Sequence, residues 1–192
     1  MTAGSMTAPL YRRLLGDRFA LLPAQVRGLH DLDRQSVWVG RADVERGTSL
    51  VCRMIAAVTR LPPSGAEQPL TVTFTAVDGA ELWHRAFGRR VLASRQVLGD
   101  GVILERIGPA TVALAADVTP AGLTLSVAHL WVLGVPMPSW LVPEVATREY
   151  ETEGRYRFEV EARMRVFGRL VRYAGWLEPQ RPDLTVTSST RP

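Results

Sequence analysis

The stretch RYRFEVEARMRV, residues 155–166, decides the fold class. Tyr156, Phe158, Val160, Ala162, Met164 and Val166 fall on one side of it, and Arg155, Arg157, Glu159, Glu161, Arg163 and Arg165 on the other. Successive side chains of a strand point to opposite faces, so a period of two predicts a long antiparallel strand with one apolar face and one charged, solvated face. No helical period sorts these residues as cleanly.

Working outward, the same alternation recurs. LTVTFTAV (70–77) sets Leu70, Val72, Phe74 and Ala76 against threonines, and ATVALAADV (110–118) sets Val112, Leu114, Ala116 and Val118 against smaller or polar residues. AGLTLSVAHLWVL (121–133) carries Leu123, Leu125, Val127, His129 and Trp131 on one face by simple alternation. Turn signals separate these runs at Asp78-Gly79, Gly88, Asp100-Gly101, Gly108-Pro109, Gly122, Gly134, Glu153-Gly154 and Gly168, mostly at hairpin spacing. Ahead of the strands, Pro9 to Gly16 and Pro23 to His30 read as short helices, and Ser36 to Glu45 as the first strand. Residues 48–60 place Leu50, Met54, Ile55 and Val58 on one helical stripe, with Thr48 or Ser49 as N-cap.

About ten strands therefore follow Ser36, by alternation and turn spacing. A flat meander of that width would leave unpaired edges that invite aggregation, so the sheet must curl. The expectation is an α+β domain: short N-terminal helices plus a highly curved antiparallel sheet or closed β-barrel of about ten strands. The helix at about 48–60 lies between the first and second strands, an order that looks like small lipid-binding, calycin-like barrels. One domain is expected over residues 9–179, with disordered tails at 1–8 and 180–192.

Composition narrows the function. All 23 basic residues are arginine, the pattern of a GC-rich genome or of a phosphate-binding surface. The net charge is only +4 and no dense basic block occurs, which argues against nucleic acid as a partner. One cysteine, Cys52, excludes an intrachain disulfide framework, fits a reducing compartment and sits in an apolar run as a buried, inert thiol. Residues 1–8 lack the basic start and apolar core of a signal peptide, so the expected location is cytoplasmic. The uncharged run 118–143 is broken by Gly134, Pro136, Pro138 and Pro143, which argues against a membrane span.

The candidate chemistry is sparse. His30, His84 and His129 have no recognised ligand spacing, and no metal is expected. His129, on an apolar face by alternation, either satisfies an internal hydrogen bond or orients a ligand in a pocket. Glu149, Glu151 and Glu153 share one side of a strand, a geometry for acid and base work, but cross-strand pairing on a solvated face is the simpler account. Ser139 has no nucleophile elbow around it. LGVPMPSWLVP (133–143) is charge-free and proline-stiffened, and serves as a plug at a barrel end, an exposed apolar patch or the rim of an entrance.

The phrases LYRRLLGDRFALLPAQVRGLHD (10–31), GRADVERG (40–47), ELWHRAFGRR (81–90), LERIGP (104–109), LGVPMPSWLVP (133–143) and GRLVRYAGWLEP (168–179) resemble a bacterial family of domains of unknown function, number 4166. The resemblance implies a domain found alone or following an NAD(P)-binding region similar to saccharopine dehydrogenases or sugar epimerases, and assigns no catalytic residue. No GxGxxG follows any expected strand, so no cofactor is expected in this chain.

The leading expectation is noncatalytic binding of an apolar or amphipathic small molecule, with Val127, His129, Trp131, Trp140, Tyr156, Phe158, Val160 and Met164 as ligand-binding residues and no catalytic residue. The alternative is an accessory module for an NAD(P)-dependent oxidoreductase, and the third reading is an enzyme of unknown reaction. A homo-oligomer is compatible with all three.

Overall fold

The computed structural model describes residues 8–180. The tails expected at 1–8 and 180–192 lie outside the described residues, save Ala8 and Gln180. The chain opens with α1 (Leu10–Leu15), a 3-10 turn (Gly16–Leu21) and α2 (Ala24–His30). It continues through β1 (Gln35–Arg46), α3 (Leu50–Val58), β2 (Gly65–Val77), β3 (Ala80–Phe87), β4 (Arg90–Leu98), β5 (Ile103–Ile107) and β6 (Ala110–Thr119). Then come β7 (Gly122–Val132), the two-residue β8 (Val135–Pro136), a 3-10 turn (Ser139–Leu141), β9 (Glu144–Thr152), β10 (Arg155–Met164) and β11 (Gly168–Pro179).

All strand pairs are antiparallel. β1 to β6 form a meander, β6 pairs with β7, β7 with β9, and β9, β10 and β11 follow in order until β11 returns to β1. Every strand except β8, which hangs on the end of β7, thus has two neighbours, and the ring closes without a free edge. The architecture is a closed ten-stranded barrel. The α+β class expected from the sequence is corrected to mostly β, because the helices are short, six to nine residues each, and cover the barrel ends without building a layer of their own.

The opening stretch behaves as its alternation dictates for most of its length. Phe158 lies opposite Glu149 on β9 and Gly175 on β11, and the Tyr156-to-Met164 face points into the barrel. The strand ends at Met164, however, so Val166 sits in the following turn and is 68% exposed. Closure also demands a tight crossing of β1 and β11. A Cβ added to Gly175 would lie 2.0 Å from the Arg41 carbonyl oxygen, and one on Gly40 1.9 Å from that of Trp176. Glycine is the residue that lets the two backbones pass this close.

The two ends of the barrel differ. At one, α1 and α2 pack Leu10, Tyr11, Val26 and Leu29 onto the strands, which is what holds such short helices, with prolines at their N-caps, together. At the other lie α3, the turns at 88–89, 108–109 and 165–167, and the 133–143 loop. Ser49 caps α3 by accepting from the Cys52 amide at 3.2 Å, and Cys52 and Ala56 face the barrel. The expected stripe is split: Ile55 packs against the core, while Leu50, Met54 and Val58 are exposed.

Replacing Gly175 by alanine is expected to destabilise the fold by at least about 2 kcal/mol, since backbone must move. Gly28→Ala, in α2 with open space around it, should be neutral or stabilise by up to about 1 kcal/mol. Urea unfolding of the two variants checks this.

Candidate functional site

Ten strands enclose more space than their inward side chains fill, and a cavity of about 690 Å³ remains. Around most of its height the wall is aliphatic and aromatic, for example Leu70, Val72, Phe74, Val112, Leu125 and Phe158. Met54 and Val58 line the cavity and are also solvent-exposed, so it reaches the surface beside α3. Met137, Leu141 and Pro143 line the same region, which makes the 133–143 loop the rim of this mouth.

Toward the helical end the wall turns polar. Tyr11, Arg85, Gln96, Glu105, Glu149, Tyr156 and Tyr173 all contribute to it. α2 presents His30, whose Nε2 donates to Glu149 Oε2 at 2.6 Å, and the pair is almost fully buried. The His30 ring stacks on Tyr11 with centroids 3.8 Å apart, and its Nδ1 is buried with no partner among the described residues. Tyr11 donates its hydroxyl to Gln96 Oε1 at 3.3 Å. Below them, Arg85 donates to Glu105 at 3.1 Å and to Ser94 Oγ at 2.9 Å, and stacks over Trp83. Glu81, also buried, accepts from the Leu10 amide and the Trp83 indole, each at 3.1 Å, and so caps α1 from across the fold. Each buried charge thus has hydrogen-bond partners, the condition on which such groups persist in a core.

The phenols are held neutral. Burial pushes the Tyr11 hydroxyl well above the ordinary tyrosine range, and the charges of Glu149, Glu81 and Glu105 add to it. Tyr156 is raised well above that range by burial and then by Glu149, and Tyr173 is raised chiefly by burial. Burial opposes the charge on Arg85 most strongly, but Glu105, Tyr173 and Tyr11 together outweigh it and the guanidinium is held more firmly than usual. The polar end is a set of hydroxyl donors, the Arg85–Glu105 ion pair and the hydrogen-bonded His30–Glu149 pair.

The expected ligand-binding residues divide. Val127, Tyr156, Phe158, Val160 and Met164 line the cavity. His129 and Trp131 do not, correcting the expectation that they share a face with Val127. Leu114 pairs with Val127 and Ala113 with His129, so Ala128 is an extra residue in β7. This bulge swaps the faces beyond it, turning Leu130 and Val132 inward and His129 and Trp131 onto the outside, where they flank a shallow crevice with Ser139, Glu144 and Arg165. Trp140 is 55% exposed and lines neither space.

Glu149 is the converse case. Expected on a solvated face with Glu151 and Glu153, it points inward opposite Phe158; Glu151 accepts from the Gln25 amide at 2.8 Å, and Glu153 is exposed in a turn. The signal was in the sequence, since Val145, Thr147 and Glu149 alternate on the face that pairs with Ala162, Val160 and Phe158. Arg85, between Trp83 and Phe87, and Glu105, between Ile103 and Ile107, carried the same alternation signal, whereas Gln96 follows Ser94 and had less apolar context. Cys52 is buried, as expected, with its thiol toward the Phe167 carbonyl oxygen at 3.5 Å. Among the described residues, no three His, Cys, Asp or Glu side chains cluster in a way that could hold a metal ion, and no helix is long and apolar enough to cross a membrane.

One family profile, described as a domain of unknown function (DUF4166), matches residues 22–177. The chain belongs to the DUF4166 family. The matched span runs from the end of the first 3-10 turn almost to the end of β11, and takes in His30, Arg85, Glu149 and Tyr156 but not Tyr11. No curated protein and no solved structure matches this DUF4166 chain.

The tyrosines supply a test of the polar end. Tyr150 is raised too, by burial and its hydrogen bond to Glu159, so all four tyrosines should ionise above the ordinary value of about 10. Because the folded pKa values lie higher, these groups leave stability unchanged below about pH 10 and lower it above, where the unfolded chain releases protons that the folded chain retains. Ultraviolet titration of tyrosinate checks this. A phenol ionising below the ordinary range would contradict the assignment and reopen a catalytic role.

Proposed function

We propose that this DUF4166 domain binds one amphipathic small molecule inside the barrel, apolar body toward the mouth and a small uncharged polar group, such as a hydroxyl or carbonyl, at the polar end. The observation that carries the reading is the joining of a largely apolar cavity of about 690 Å³, within the roughly 300–1,000 Å³ of small-molecule sites, to a few convergent polar groups. Valine, leucine and phenylalanine side chains exclude water from the body of the ligand. Tyr11, Tyr156 and Tyr173 offer hydroxyls that stay protonated.

The pairing of charges selects the polar group. Arg85 is engaged by Glu105 and Glu149 by His30. A ligand carboxylate would enter a wall that already holds two carboxylates and would find no free cation. A ligand ammonium would have to compete for carboxylates already bonded. Either would be desolvated without a dedicated counter-ion, whereas a hydroxyl needs only a donor or an acceptor.

Displacement of a bound fluorescent apolar probe by a long-chain alcohol, and by the carboxylic acid and amine of equal chain length, tests this. The alcohol should bind tightest, by about tenfold or more, and Val160→Trp, which fills the cavity, should weaken it by about tenfold. Uptake of none of the three would overturn the binding reading, and preference for the acid would overturn the charge argument.

A further inference from the structure

The exposed apolar side chains of this barrel are not scattered. Apart from Leu21 and Val77, every exposed large hydrophobic residue among those described lies at the α3 end. Leu50, Met54 and Val58 form one ridge along α3, 74%, 63% and 63% exposed. Leu133, Val135 and Trp140 form a second on the loop across the mouth, 82%, 57% and 55% exposed. Leu133 also adopts a left-handed backbone, with φ +51°, where asparagine or glycine is at ease. A leucine there is both strained and hydrated, and only its backbone is held, by an amide donated to the Pro109 carbonyl oxygen at 2.9 Å.

The acidic residues at this end, Glu45, Glu67, Glu144 and Glu161, lie on the strand ends and are paired with arginines, and the connecting segments carry charge of one sign. The connecting segments 47–64, 88–89, 108–109, 133–143 and 165–167 hold Arg53, Arg60, Arg89 and Arg165 and no acidic residue. Arg165 is paired with Glu144 at the start of β9, and the nearby strand-end acids Glu45 and Glu161 are taken by Arg169. Arg53, Arg60, Arg89 and Arg90 are exposed and in no ion pair among the described residues. Arg46, at the end of β1, is lowered from its ordinary pKa by burial and then by the charge of the neighbouring Arg90. The helical end, by contrast, mixes its arginines with Asp17, Asp31, Asp33, Asp78, Asp100 and Glu153.

We propose that the α3 end of the barrel docks on an anionic lipid bilayer, with the two apolar ridges in the interface and the unpaired arginines against the headgroup phosphates. Apolar residues ringed by arginine are what such an interface binds, and tryptophan is favoured at its depth. A second copy of the chain is the poorer occupant, since a two-fold contact of this face would set arginine against arginine. The cavity opens between the same two ridges, so a docked barrel would face the bilayer with its mouth and exchange an amphipathic molecule without passing it through water. The last step rests on the proposed function, but docking itself does not.

Flotation of the full chain with vesicles tests it. The chain should float with vesicles of equal parts phosphatidylcholine and phosphatidylglycerol, less so with phosphatidylcholine alone, and added salt should weaken the binding. Met54→Glu with Trp140→Glu, and separately Arg53→Glu with Arg60→Glu, should each reduce the bound fraction about tenfold with thermal unfolding unchanged, while Leu21→Glu at the far end should have no effect. Failure to float with the anionic vesicles, or equal binding by all variants, would overturn the proposal. So would a dimer in sedimentation that Met54→Glu with Trp140→Glu dissolves, which would assign the face to a second copy. Probe uptake in vesicle-free solution is read separately, so loss of docking and loss of the cavity site are distinguishable.

Discussion

Ring closure is the constraint from which the rest of this structure follows. Once β1 reaches β11 and β7 reaches both β6 and β9, strand number sets the width of the barrel, and ten strands hold more space than their inward side chains occupy. The crossing at Gly40 and Gly175 lets the ring close, the charged faces of strands such as β10 keep its wall in water, and the residual volume becomes the cavity. The two ends then acquire separate tasks. One must be sealed, and the N-terminal helices do so with Tyr11, Leu29 and His30. The other stays open beside α3.

The seal is where polar groups enter the interior. A helix end placed on a barrel brings backbone amides into a dry region, and Glu81 answers the first of them at Leu10. His30 comes in with α2 and is met by Glu149 from the wall. Breaking such a pair by removing one partner typically costs about 3–5 kcal/mol, because the other is left buried. The same groups that fasten the helices therefore form the polar end of the cavity, so stability and ligand selection draw on shared residues.

Much of this was legible in the sequence. Period-two alternation in 70–77, 110–118 and 155–164 marks strands, because one side of each meets the core and the other meets water. Ser49 marks a helix start through its side-chain oxygen, and Pro9 and Gly16 mark helix ends through their backbone conformations. What stayed hidden depends on contacts distant in sequence. The bulge at Ala128 has no local signature, since alanine fits either face, yet it turns His129 and Trp131 outward. Glu149 was less hidden, since Val145, Thr147 and Glu149 alternate on one face, but the continuation to Glu151 and Glu153 gives it the look of a solvated acid. The gathering of Leu50, Met54, Leu133 and Trp140 at one end appears only when strand directions are followed around the ring.

The central claim is that the cavity is a site for one amphipathic molecule rather than a packing defect. Native mass spectrometry of the full chain, purified from its own host, tests it most directly. The account predicts a complex with one small organic molecule per chain, or, for ligand-free chain, a one-to-one complex on adding a long-chain alcohol that Val160→Trp fails to form. A chain that emerges bare and takes up no alcohol would contradict it.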